Sequence, residues 1–278
     1  MLVAERDGAY RFVTQTAHAA VAGTFAERWG GGGFEPPTPL APVTAAAHNH
    51  DNGWWAYDRR PHLDGGEPVD FRGVPPETWV EFYENGIESV AELDPYAGLL
   101  ASMHGSGLRQ QRYGLSPSMP ADQPAYASFV DREERRQRRL AEAMAADERL
   151  TATDETLLDA LQESGEPPTD TDSRLWDNYR LLQAWDRLSL AVCGTLAPGE
   201  TTDVGPVPTG TRSAETLTVE ARSDEEVLVA PYPFETEPLT VSVPARTVDA
   251  NSFETETELF EAYYGVRRRD GEVSVRPE

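Results

Sequence analysis

A histidine followed directly by an aspartate, His50-Asp51, closes an alanine-rich run within residues 44–58, TAAAHNHDNGWWAYD. An imidazole nitrogen beside a carboxylate oxygen suits a single cation, and the mixture favours borderline or hard divalent ions such as Fe, Mn, Zn or Mg. Adjacent residues on a regular helix point about 100° apart, so the pair can share an ion only off the end or flank of its helix. The same sequence can also be read as a turn, with Asp51 and Asn52 reversing the chain and the two tryptophans packing on a core. Three more residues of the same chemistry, His18, His104 and Asp186, lie in helical segments among apolar neighbours that turn them inward. The five read as one site.

Each of these residues needs an element to hold it. Thr14 or Thr16 can cap a helix running to about residue 29, on which His18, Val21, Ala22, Phe25 and Trp29 share a face. Residues 9–13, AYRFV, read as a short strand before it. The connection at 30–42, GGGGFEPPTPLAP, lacks the lysine and Ser/Thr that a phosphate-cradling loop needs. A second helix then ends at the His-Asp pair, stopped by Asn52-Gly53. Residues 58–76 form a surface loop containing His62, and helices follow over 76 to about 93 and 95 to about 104. His104 ends the latter, and Gly105 and Gly107 around Ser106 admit either a close ligand or a glycine cap. A loop is expected over 112–127. A charged helix opens at Ser128 or Asp131, its arginines a solvated face, and DETLLDALQESG forms one more short helix.

Helix 173–193 is the second informative element. Ser173 caps it, and Leu175, Tyr179, Leu182, Ser189, Leu190 and Cys193 form an apolar stripe with Asp186 at its centre. An unpaired carboxylate there would cost several kcal/mol, roughly, so an arginine, a histidine or a metal must face it. Cys193, the single cysteine, has no partner for an internal disulfide and reads as a core residue. Beyond Gly194 a Pro/Gly/Thr-rich stretch leads into alternating segments that read as strands, a helix and a hairpin at Asp270-Gly271. That end carries no histidine.

Charge narrows the function classes. The formal net charge is -24, and all 24 basic residues are arginine. Such a surface is salt-adapted, since its carboxylates repel one another when unscreened. Urea melts should therefore show higher stability in molar KCl than at low salt; equal midpoints would contradict this. Phosphates of a duplex nucleic acid would be repelled over most of the surface, which leaves only local arginine pockets for anions. The sequence shows neither a signal peptide nor a run of membrane-span length, so a cytoplasmic protein is expected.

The order His18, His50-Asp51, Asp186 resembles the HD-domain superfamily of metal-dependent phosphohydrolases, whose pattern is a histidine, a His-Asp doublet and a distant aspartate. The phrases AHAAVAG, HDNGWWAYD, LLASMHGSGL and LLQAWDRLSL are also similar to those of an uncharacterised bacterial and archaeal family. The resemblance spans roughly residues 10–195 and implies a mainly α fold. An HD-like helical bundle over 1–196 would carry the site, and 197–278 would be a linker with a small α+β or β appendage. It makes His18, His50, Asp51 and Asp186 the ligands of one divalent ion, and implies hydrolysis of a small-molecule phosphate ester. Asp51 would orient the attacking water. His104 matches no position of the minimal pattern; it would serve a second metal or orient the leaving group. Arg109, Arg59 and Arg60 are the nearest cations for binding phosphate. Two other readings fit the same residues: a metal- or ligand-binding module without catalysis, and a purely structural buried His18–Asp186 pair.

Overall fold

Valines and threonines alternate along the C-terminal third, and that period of two places one face of each strand on a core. Leu217, Val219 and Ala221, then Val227 and Val229, Leu239, Val241 and Val243, and Val273 and Val275 are all buried, while their neighbours face outward. The computed structural model describes residues 1–110, 123–145, 147, 149–168, 171–210, 212–249 and 252–278. In it these strands are β5 (Thr201–Gly210), β6 (Ser213–Ser223), β7 (Glu226–Ala230), β8 (Leu239–Val248) and β9 (Arg269–Pro277). An N-terminal hairpin, β1 (Leu2–Arg6) and β2 (Ala9–Val13), joins the same sheet, and β3 (Leu63–Asp64) and β4 (Glu67–Pro68) form a separate ribbon.

The large sheet has seven strands in the order β1-β2-β8-β9-β7-β6-β5. Only the β7/β9 pair is parallel among these ladders. The join between the two ends of the chain is β2 on β8, with Tyr10 opposite Val248 and Val13 opposite Ala245. This overturns the expected mainly α, HD-like bundle with a small appendage, and with it the all-α description. The β strands are one wall of the molecule, and its first strand lies at the N-terminus. Sequence patterning sees each strand alone, whereas β2 and β8 pair across most of the chain.

The helices are α1 (Gln15–Arg28), α2 (Leu40–Asn49), α3 (Pro76–Leu93), α4 (Pro95–Gln110), α5 (Pro124–Ala145), α6 (Ala152–Ser164), α7 (Arg174–Leu190) and α8 (Glu256–Gly265). Helices α1 and α7 pack on each other, on the sheet through β8 and β5, and on α2 and α4 behind them. Trp29 and Trp185 meet at this junction, ring centroids 5.7 Å apart and edge to face. Burial of such rings against Phe25 and Phe234 anchors the main core. A second, smaller core of Tyr10, Phe12, Val248, Phe253, Leu259 and Tyr263 lies under α8.

Further expectations change in detail. The Pro/Gly/Thr-rich stretch up to Gly210 is largely strand β5, and β9 runs straight through Asp270-Gly271, with Gly271 opposite Val243, so no hairpin turns there. Helix α4 continues six residues past His104, so Gly105 and Gly107 are helix-interior residues and not a cap. At Gly105 a Cβ would meet the Tyr83 ring at 2.9 Å, so glycine there serves close packing of α4 against α3. The loop expected at 112–127 falls largely outside the described residues, and α5 opens at Pro124, ahead of the predicted start.

Candidate metal centre

Thr14 caps α1, its side chain accepting from the Ala17 N–H, and the helix then turns His18 inward. Helix α2 ends at Asn49; His50 keeps helical dihedrals while Asp51 leaves them at φ −115°, ψ 20°. That departure lets two consecutive side chains converge instead of diverging by 100°. The turn after it, Asn52–Trp55, lies so close to α3 that a Cβ at Gly53 would stand 1.9 Å from the Phe82 carbonyl oxygen. Glycine at 53 is therefore required to seat the doublet. Ser173 caps α7, which carries Asp186 into the same space.

The structure brings His18, His50, Asp51, His104 and Asp186 together, all buried. Asp186, at 7% exposure, is the most accessible of the five. Two triads of ligating atoms, His18–His50–Asp51 and His50–His104–Asp186, each lie within 4.8 Å and share His50. The His50 ring stands edge-on to both other imidazoles, with centroids 5.0 Å from His18 and 5.1 Å from His104.

Hydrogen bonding fixes the tautomers. The Ser189 hydroxyl donates to the Asp186 carbonyl at 2.8 Å, so it accepts from His18 Nδ1, also at 2.8 Å. Likewise His50 Nδ1 donates to the Ala47 carbonyl at 2.9 Å. In both neutral rings the lone pair is therefore on Nε2. His18 Nε2 faces Asp51 Oδ2 at 3.0 Å and Asp186 Oδ1 at 3.5 Å. His50 Nε2 faces the same two oxygens at 3.7 and 3.5 Å, without a hydrogen bond of its own. Lone pairs aimed at carboxylates repel unless a cation, a proton or a metal ion, stands between them. Holding the far nitrogen of a ligating histidine by a backbone or hydroxyl partner is how metal sites set ring orientation.

The same geometry governs protonation when protons are the only cation. Burial opposes a charged His50, yet Asp51 and Asp186 outweigh it and lift the imidazole to about 9. Asp51 and Asp186 suffer the same burial, but the facing histidines hold both below the usual carboxylate range. His104, whose Nε2 lies 3.9 Å from Asp186 Oδ2, is pushed down by burial to about 4, with Asp186 offsetting only part of the shift. It stays neutral at physiological pH.

Three supporting residues carried no signal of this role in the sequence. The Tyr83 hydroxyl donates to Asp51 Oδ1 at 2.9 Å, and Gln15 Nε2 reaches Asp51 Oδ2 at 3.4 Å. Ser189, read as part of the apolar stripe of α7, is the His18 partner. Tyr83→Phe should leave the fold intact, leave Asp51 without that donor, and weaken divalent-ion affinity about 10- to 100-fold in chelator competition. Unchanged affinity would show that Tyr83 does not orient Asp51.

The candidate phosphate binders separate. The Arg109 guanidinium is buried between the Trp79 and Tyr126 rings, 3.8 and 3.7 Å from their centroids. Trp79 in turn stacks on Tyr83 at 3.9 Å, so Arg109 lies two rings from Asp51. Arg59 and Arg60 are exposed; Arg60 pairs with Glu256 at 2.8 Å, and Arg59 lies over Trp55 at 5.2 Å. The sequence profile of DUF3891, a family of proteins of unknown function, matches residues 1–250. The chain belongs to the DUF3891 family. That match takes in all five site residues and most of the sheet, including the β2–β8 join. No curated protein and no solved structure matches this DUF3891 chain. Among its described residues no helix is long and apolar enough to cross a membrane.

Proposed function

We propose that this chain is a metal-dependent phosphohydrolase acting on phosphate monoesters or diesters, with His18, His50, Asp51 and Asp186 holding a divalent ion. One observation carries the reading. Two buried imidazoles, their hydrogens committed to Nδ1, present Nε2 to two carboxylates at 3.0–3.7 Å, an arrangement that calls for a cation. The donor set of nitrogen and oxygen suits Fe, Mn, Zn or Mg. It also keeps the order of the HD-domain pattern that the sequence resembles.

When bound, such an ion supplies Lewis acidity, which polarises a phosphoryl oxygen and makes water a nucleophile near neutral pH. The residues around it have separable tasks. Tyr83 and Gln15 hold Asp51 in one orientation, which lets its Oδ2 align a water for attack. Asp186, the most accessible of the five at 7% exposure, completes the ligand set. His104, whose Nε2 lies 3.9 Å from Asp186 Oδ2, would orient the leaving group. Arg109 contributes positive charge through the aromatic layer of Trp79 and Tyr83.

The depth of the site favours one other reading, a closed centre that holds metal without turnover, because catalytic sites keep an open ligand position. Hydrolysis of nitrophenyl phosphate, bis-nitrophenyl phosphate and nucleotides, assayed in molar KCl after loading with Mn, Fe or Zn, separates the two. Turnover that EDTA removes, and that Asp186→Ala lowers by at least about 1,000-fold, is expected. Tight metal binding with no turnover would leave the non-catalytic centre.

A further inference from the structure

A second site lies where the C-terminal elements meet the turns that follow Asp51. There a cavity of about 190 Å³ is lined by Trp55, Arg59, Arg246, Tyr263, Tyr264 and Arg268, among others. Its volume suits one aromatic ring or a phosphate group, with the rest of a ligand extending into solvent. Three guanidinium groups gather here in a protein of net charge -24. None of the three has a carboxylate partner among the described residues. Asp58 also lines the cavity, but its carboxylate is buried and bonded by the Gln15 N–H and the Met1 amino group.

Aromatic surface accompanies the charge. Among the described residues the exposed large apolar side chains are Leu40, Trp55, Leu93, Phe260 and Tyr264, and three of these five cluster here. Trp55 is 61% exposed, and the Arg59 guanidinium lies over its ring, 5.2 Å from the centroid. Phe260 and Tyr264 pack together with centroids 4.8 Å apart. Arg246 lies 5.0 and 5.1 Å over the Tyr263 and Tyr264 rings and donates to the Tyr263 and Val266 carbonyls, which fixes the wall under α8. Exposed rings beside guanidinium groups that have no carboxylate partner recognise ligands that carry both a π face and negative charge.

We infer that this cavity binds a small anion bearing an aromatic ring, of the nucleoside monophosphate class. The phosphate engages Arg268 and Arg59, and the ring stacks on Trp55 or Tyr264. The site is separate from the metal centre and does not depend on its chemistry. It is nevertheless built on adjoining backbone: Thr14 and Thr16 line it on either side of Gln15, and Trp55 and Arg59 follow Asp51 in the chain.

The test uses the full chain in EDTA, at the lowest KCl concentration that keeps it folded, so that failure of the metal reading cannot affect the result. The four ribonucleoside monophosphates are titrated by calorimetry and by the fluorescence of Trp55. At least one should bind with Kd below about 1 mM, with its parent nucleoside and inorganic phosphate each at least about tenfold weaker. Arg268→Glu and Arg59→Glu, both at exposed positions and checked for native circular dichroism, should each weaken it at least about tenfold. No binding up to about 10 mM would overturn the inference. So would affinity unchanged in Arg268→Glu, or binding confined to single-stranded oligonucleotides.

Discussion

Replacing His50 by alanine should abolish metal retention and lower phosphate-ester turnover by at least about 1,000-fold, because His50 alone belongs to both triads. Its proton linkage provides a second readout. In metal-free protein the His50 pKa is raised from its ordinary 6.5 to about 9, so the stability it contributes is fully present below pH 6.5 and is lost as pH rises through 9. His104 acts in the opposite direction. Lowered to about 4, it favours the folded state above pH 6.5, and that contribution is lost as pH falls through 4. The combined contribution of these two histidines to metal-free wild type should thus peak near pH 6.5. A divalent ion replaces the His50 proton, so its stabilising effect should grow from pH 6 to pH 9. Urea melts at both pH values, with EDTA or with Mn, measure this; stabilisation independent of pH, or wild-type metal content in His50→Ala, would contradict it.

Ending the chain at residue 196 should prevent folding altogether. The cut removes β5–β9, leaving β2 with an open edge from Tyr10 to Val13 where β8 had paired. It also uncovers Trp29 and Phe25, which lose Phe234 from contacts with centroids 5.5 and 5.1 Å apart. Each large side chain so exposed costs about 1.5–3 kcal/mol against the 5–15 kcal/mol by which a typical domain is stable, and the lost β2–β8 ladder adds to it. Circular dichroism and a urea melt of residues 1–196 should show no cooperative transition. A native-like melt would mean that the helices form an independent bundle after all. In the full chain, Trp185→Ala should cost about 3–5 kcal/mol, since its ring fills the junction of α1 and α7.

The helical part of this architecture is legible because its signals are local. Thr14 and Ser173 sit at helix starts and cap them, and helical spacing alone turns His18 and Asp186 inward. The sheet is not legible in the same way. AYRFV reads as a strand, but nothing within it names β8 as its neighbour, and a parallel pairing such as β7 with β9 leaves no turn signal. The Gly-Ser-Gly after His104 resembles a helix stop, yet α4 continues because α3 presses close enough that Gly105 is needed for packing. Tyr83, Gln15 and Ser189 escape notice for a related reason: each is an ordinary residue type whose role arises only when another element delivers Asp51 or His18 to it. The arginine and aromatic cavity joins residues from both ends of the chain, which no single stretch of sequence can display.

Metal content tests the centre most directly. Protein purified without a histidine tag in molar KCl, loaded with Fe, Mn or Zn and then desalted, should carry one divalent ion per chain by mass spectrometry, and Asp186→Ala should carry none. No metal in either protein would contradict the metal centre, leaving His18, His50, Asp51 and Asp186 as a proton-bridged polar cluster inside a structural fold.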